Sequence, residues 1–222
     1  MDELRRAYHD RIADLRASTG RLVVVAADAI EHLTGALLAR DTDARRAVIA
    51  ELDQAGKEPA AIEAEVLDLL ALESPVARDL RVVLASLFIS QIADLCIGLA
   101  RTLAGREGSG NSALTPALRA LSSEIGAQTV ELLRRANGAW AVLDEGMAMG
   151  VIDASEPARV LQRRFLAELL RLENVPVEAA VDLGMAARAY ERLTDHAVEI
   201  AGRVVFAATG DSPDLSGAGG ES

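Results

Sequence analysis

Residues 185–203 read Met-Ala-Ala-Arg-Ala-Tyr-Glu-Arg-Leu-Thr-Asp-His-Ala-Val-Glu-Ile-Ala-Gly-Arg. Wound as an α-helix at about 100° per residue, this stretch and its flanks put Leu183, Ala186, Ala187, Tyr190, Leu193, Ala197, Ile200 and Val204 on one broad arc. That arc predicts a core-facing helix. Glu191 and Asp195 lie at its edge, spaced i,i+4, so their carboxylates stand one turn apart on the same side. Like charges at that spacing cost a few tenths of a kcal/mol, roughly, unless something positive sits between them. Two readings stay open. Arg188 and Arg192, each three residues ahead of one acid, predict a solvated ion-pair ladder. A hard cation, which gathers oxygen ligands, predicts a metal face instead.

The composition around this stretch favours helices packed on helices. Half of the 222 residues are apolar but only 3% are aromatic, so the core is built from Ala, Leu, Val and Ile. Lys57 is the one lysine, and the net charge is −11. That balance disfavours duplex nucleic acid as a partner, because binding phosphates needs clustered Lys and Arg. It also argues against simple attraction to anionic lipid and is compatible with cations or a basic protein partner. Cys96 is alone in an apolar run, which rules out an intramolecular disulfide, suits a reducing cytosol and predicts a buried thiol. The charged N-terminus, Met-Asp-Glu-Leu-Arg-Arg, lacks the apolar core of a signal peptide. Residues 82–100 approach the length of a bilayer span, but Gln91, Asp94 and two serines predict a helix buried inside a bundle.

In chain order the pattern predicts six helices. The first covers about residues 4–38, interrupted at Gly20, with Asp28, Glu31 and His32 on one side as a candidate metal face. The second covers about 44–72 and is weakened at Gly56 and Pro59. Ser74-Pro75 opens the third, running to about Gly105. Residues 107–113 have linker composition. Thr115-Pro116 opens the fourth, to about Met149, and residues 153–157 open the fifth, to about Leu172. Asn174-Val175-Pro176 opens the sixth, ending near Ala208, and residues 210–222 have the composition of a disordered tail. The halves repeat: laid so that Ala93 meets Tyr190, Asp94 meets Glu191 and Gly98 meets Asp195. The expected fold is therefore all-α, with residues 1–106 and 114–209 forming two tandem, similar three-helix bundles. No Glu-x-x-His occurs, so a ferritin-like di-iron set is missing.

Two stretches carry a resemblance. Leu69-Leu70-Ala71-Leu72-Glu73-Ser74-Pro75-Val76-Ala77-Arg78-Asp79-Leu80-Arg81 resembles the start of the third helix in the PhoU family of phosphate-signalling regulators. The run from Tyr190-Glu191-Arg192-Leu193-Thr194-Asp195-His196-Ala197 to Ala201 is similar to that family's C-terminal Glu-Arg-x-x-Asp-His-Ala motif. The resemblance implies a duplicated three-helix fold that usually dimerises. It implies a cytoplasmic, non-enzymatic adaptor between a phosphate ABC transporter and a sensor histidine kinase, damping uptake and signalling when phosphate is plentiful. It also implies metal ions, iron, zinc or another divalent cation, held in some members by Glu/Asp-x-x-x-Asp motifs. The matching positions here are Glu191 and Asp195, with Asp94 alone in the first half because Gly98 replaces its partner; second-helix acids lie near Asp53, Glu58, Asp153 and Glu156. Two other readings are a carboxylate–metal bundle enzyme and a metal-free structural dimer. His9, His32 and His196 supply no catalytic set by themselves.

Overall fold

A computed structural model describes residues 2–105 and 114–215; the expected linker and the chain beyond 215 lie outside the described residues. Among these, regular structure is wholly α-helical, in eight segments: α1 (Asp2–Ala39), α2 (Thr42–Ala55), α3 (Glu58–Glu73), α4 (Ala77–Ala104), α5 (Pro116–Val142), α6 (Glu145–Asp153), α7 (Ser155–Leu170) and α8 (Val177–Thr209). Each half is thus a long helix, a broken helix and a second long helix. The first break falls where Gly56 and Pro59 weaken the pattern. The matching break in the second half is Ala154, between α6 and α7.

Two expected boundaries move, each for a backbone reason. The fourth helix stops at Val142, not Met149, because Leu143 turns left-handed at φ 53° and Asp144 caps a new helix by accepting from the Met147 amide at 2.7 Å. The helix expected from Pro75 begins at Ala77, since Ser74 is itself left-handed at φ 47° and Val76 is extended. Gly20 does not interrupt α1. It is a close-approach position: a Cβ there would stand 2.9 Å from the Asn137 amide oxygen on α5.

Helices α1, α4, α5 and α8 form the centre, α2 and α3 lie against α1 and α4, and α6 and α7 lie against α5 and α8. The two units are joined through α1 on α5 and α4 on α8, and a single apolar cluster runs through both. Trp140, fully buried, donates its indole N–H to the Arg16 carbonyl at 3.1 Å and so ties α5 to α1. Arg119 donates to the Leu38 carbonyl near the other end of the same pair. Both α1 and α4 are long and apolar enough to cross a membrane, and here both pack into the bundle. Ser86 and Ser90, buried on α4, return their hydroxyls to the carbonyls of Val82 and Leu87. Beyond α8 the described chain has no regular structure, and Leu215 lies against Gly202, where a Cβ would come within 3.0 Å of its Cδ1.

Candidate functional site

The middle of α8 presents three kinds of side chain within about two and a half turns. Tyr190, Leu193, Thr194 and Ala197 face the core, Glu191 and Asp195 stand at its margin, and Arg188 and Arg192 face outward. Glu191 accepts from Arg188 at 2.6 Å, as the ion-pair reading expects. Asp195 does not use Arg192. Its Oδ1 accepts from Arg159 Nη2 at 2.8 Å, and Arg159 comes from α7 with its side chain only 10% exposed. Burial pushes the Asp195 carboxyl above its ordinary value; Arg159 opposes that shift and the neighbouring Glu191 adds to it.

Behind Asp195 runs a polar seam through an otherwise apolar core. Gln162 Nε2 donates to Thr194 Oγ1 at 3.1 Å, Thr194 donates to the Tyr190 carbonyl at 3.1 Å, and Thr129 Oγ1 lies 3.3 Å from Thr194 Oγ1. Gln162 Oε1 is buried and meets no hydrogen-bond partner. Tyr190 continues the seam into the first half: its hydroxyl lies 2.6 Å from Thr34 Oγ1 on α1. Thr34 and Tyr190 also line a small apolar cavity with Leu103, Ile125, Phe165 and Leu183. His196 is buried, with Nδ1 3.2 Å from Glu199, and this bond holds the Glu199 carboxyl below its usual range.

Asp94 stands on α4, exposed, and makes no hydrogen bond or ion pair among the described residues. At Gly98 an added Cβ would meet nothing within 4 Å. The Asp28, Glu31 and His32 face is differently employed: Asp28 and Glu31 both accept from Arg134 of α5, at 2.8 and 2.6 Å, which clasps α1 to α5. Of the second-helix acids, Asp53 pairs with Arg101 at 3.3 Å and Glu156 with Arg163 at 2.7 Å.

Chain-length similarity accompanies this geometry. No family model matches the chain. The phosphate-specific transport system accessory protein PhoU homolog 1 of Mycobacterium leprae is 32% identical over 219 residues, covering 95% of this chain and 96% of the relative. This chain belongs to the PhoU family. PhoU homolog 2 of Mycobacterium tuberculosis is also 32% identical, over 95% of this chain and all of that protein. The crystal structure of PhoU from Pseudomonas aeruginosa superposes with a TM-score of 0.85 at 21% identity, covering 92% of this chain and 100% of that one. That of the regulatory PhoU from Streptococcus pneumoniae gives 0.81 at 18%, covering 94% and 100%.

The metal set implied by the PhoU resemblance is a separate matter, and the donors decide it. Asp195 is held by a nearly buried arginine, Glu191 by Arg188, and Asp94 stands apart on α4. Among the described residues no three His, Cys, Asp or Glu side chains converge as a metal would require. Asp94, Glu191 and Asp195 are therefore not brought together as one ligand set. The donor set does not fit a cluster. Arg159 is the residue that sequence reasoning missed. Its signal was faint: an arginine three residues ahead of Gln162 and six ahead of Phe165, on the inward face of a short helix.

Proposed function

We propose that this chain is a cytoplasmic, non-catalytic accessory regulator of a phosphate-specific transport system. In this reading it couples a phosphate ABC transporter to a sensor histidine kinase and damps uptake and starvation signalling when phosphate is abundant, working as a homodimer. The observation that carries the reading is the end-to-end match to accessory proteins of such systems, which leaves no part of those relatives uncounted beyond a few residues. The side-chain chemistry supports it. Three polar pairings of the second unit tie helices together: Arg159 with Asp195, Gln162 with Thr194, and Tyr190 with Thr34. The surface supports it too, because a regulator that acts by contact needs apolar side chains outside its core. Val177, Val181 and Met185 supply them along α8, with Leu166 and Leu170 on α7.

Deletion of the gene tests this. Phosphate-starvation genes, read through a phosphatase reporter, should stay active in phosphate-rich medium, and the full-length gene supplied in trans should silence them. Normal repression in the deletion strain would overturn the reading.

A further inference from the structure

Asp195 is an awkward residue for a helix bundle. Its side chain is 37% exposed, one turn from a second acid, and burial already disfavours its charge. The group that meets it is a guanidinium, held in place by the architecture of α7. The inward face of α7 is Ser155, Ala158, Arg159, Gln162 and Phe165. Arginines this buried occur almost only when paired. Arg159 reaches Asp195 while Gln162, one turn on, reaches the preceding residue, Thr194. One helix therefore fixes both the charge and the orientation of this part of α8.

The internal repeat supplies an independent comparison. In the register that lays Ala93 on Tyr190, Ile62 meets Arg159 and Gly98 meets Asp195. Ile62 is buried on α3, and Gly98 has open space where a side chain would project. Room for a carboxylate is thus present in both halves. What differs is the pair: acid and arginine are present together in the second unit and absent together in the first.

We propose that Arg159 takes the place of a metal ion at the Glu191/Asp195 motif, so that the second unit folds and keeps its surface without bound metal. A guanidinium stays charged at every physiological pH and presents donors in a fixed fork, so this neutralisation is permanent and indifferent to metal supply. Arg188 serves Glu191 in the same way from the solvent side.

The test uses the full chain purified without chelator. Elemental analysis should find far less than one divalent ion per chain. Titration with Mn2+ alone should give no saturable heat, and chelator should leave the melting temperature unchanged. Arg159→Gln frees Asp195 and should gain saturable Mn2+ binding that raises its melting temperature, a gain lost again when Asp195→Asn is added. Near-stoichiometric metal in the wild type, or a melting temperature that falls with chelator, would overturn the proposal. So would an Arg159→Gln protein indifferent to Mn2+. If that variant does not fold, the double variant Arg159→Met/Asp195→Asn, with both charges removed, should fold and ignore chelator; chelator sensitivity there would also overturn it.

Discussion

The Tyr190 hydroxyl of α8 lies 2.6 Å from Thr34 Oγ1 of α1, joining the last helix of the chain to the first across 156 residues. Thr34 donates its own proton to the Ile30 carbonyl at 2.7 Å, so in this pair tyrosine donates and threonine accepts. Tyr190 is buried, and burial pushes its phenol up to about 12, which keeps it a neutral donor.

The pair predicts an asymmetry between two deletions. Tyr190→Phe removes a donor and leaves Thr34 bonded to Ile30, so it should cost about 0.5–1.5 kcal/mol. Thr34→Val keeps the shape but strands the buried tyrosine hydroxyl, which should cost more, about 1–3 kcal/mol. Urea denaturation of the two variants decides the order; a Tyr190→Phe protein less stable than Thr34→Val would refute the hydrogen-bond assignment.

Glycines give the second prediction. On α5, a Cβ at Gly126 would stand 2.6 Å from Thr34 Cγ2, so Gly126→Ala forces α1 and α5 apart and should cost roughly 1–3 kcal/mol. At Gly98 nothing lies within 4 Å, so Gly98→Ala should stabilise by about 0.5–1 kcal/mol through helix propensity. Thermal melts of both proteins test the opposite signs. Equal shifts would mean that α1 and α5 do not approach at Gly126.

Cys96 is fully buried and burial pushes its thiol up to about 12. The native protein should resist iodoacetamide in mildly alkaline buffer, and the same protein in urea should be labelled completely. Rapid native labelling, read by mass spectrometry, would contradict the packing of α4.

The His196–Glu199 pair sets a pH dependence. Its bond lowers the Glu199 carboxyl below its ordinary value of 4.5, so the stabilisation is present above that value and is lost as pH falls through the lowered one. Glu199 is half exposed, which limits the effect to about 1 kcal/mol or less. Wild type should exceed Glu199→Gln in urea midpoint near neutrality, and the difference should vanish in acid. A difference that grows on acidification would reverse the sign and reject the pairing.

Sequence by itself determined the helices, the repeat and which face of each helix is buried, because those follow from local periodicity. The arc of Leu183, Tyr190, Leu193 and Ala197 was legible for that reason, and so were the breaks that Gly56 and Pro59 impose. Local backbone preference was less legible where a residue must turn left-handed against its type, as at Ser74 and Leu143, and there the boundaries moved. Tertiary structure alone decided what neutralises Asp195. Arg192 is three residues ahead of it and stays in solvent, whereas Arg159 is far away in sequence and arrives on α7. Charge pairing across helices depends on which faces pack together, and no spacing within one helix contains that information. The same holds for Gly20 and Gly126, which resemble helix defects in sequence and become contact points once α5 lies on α1.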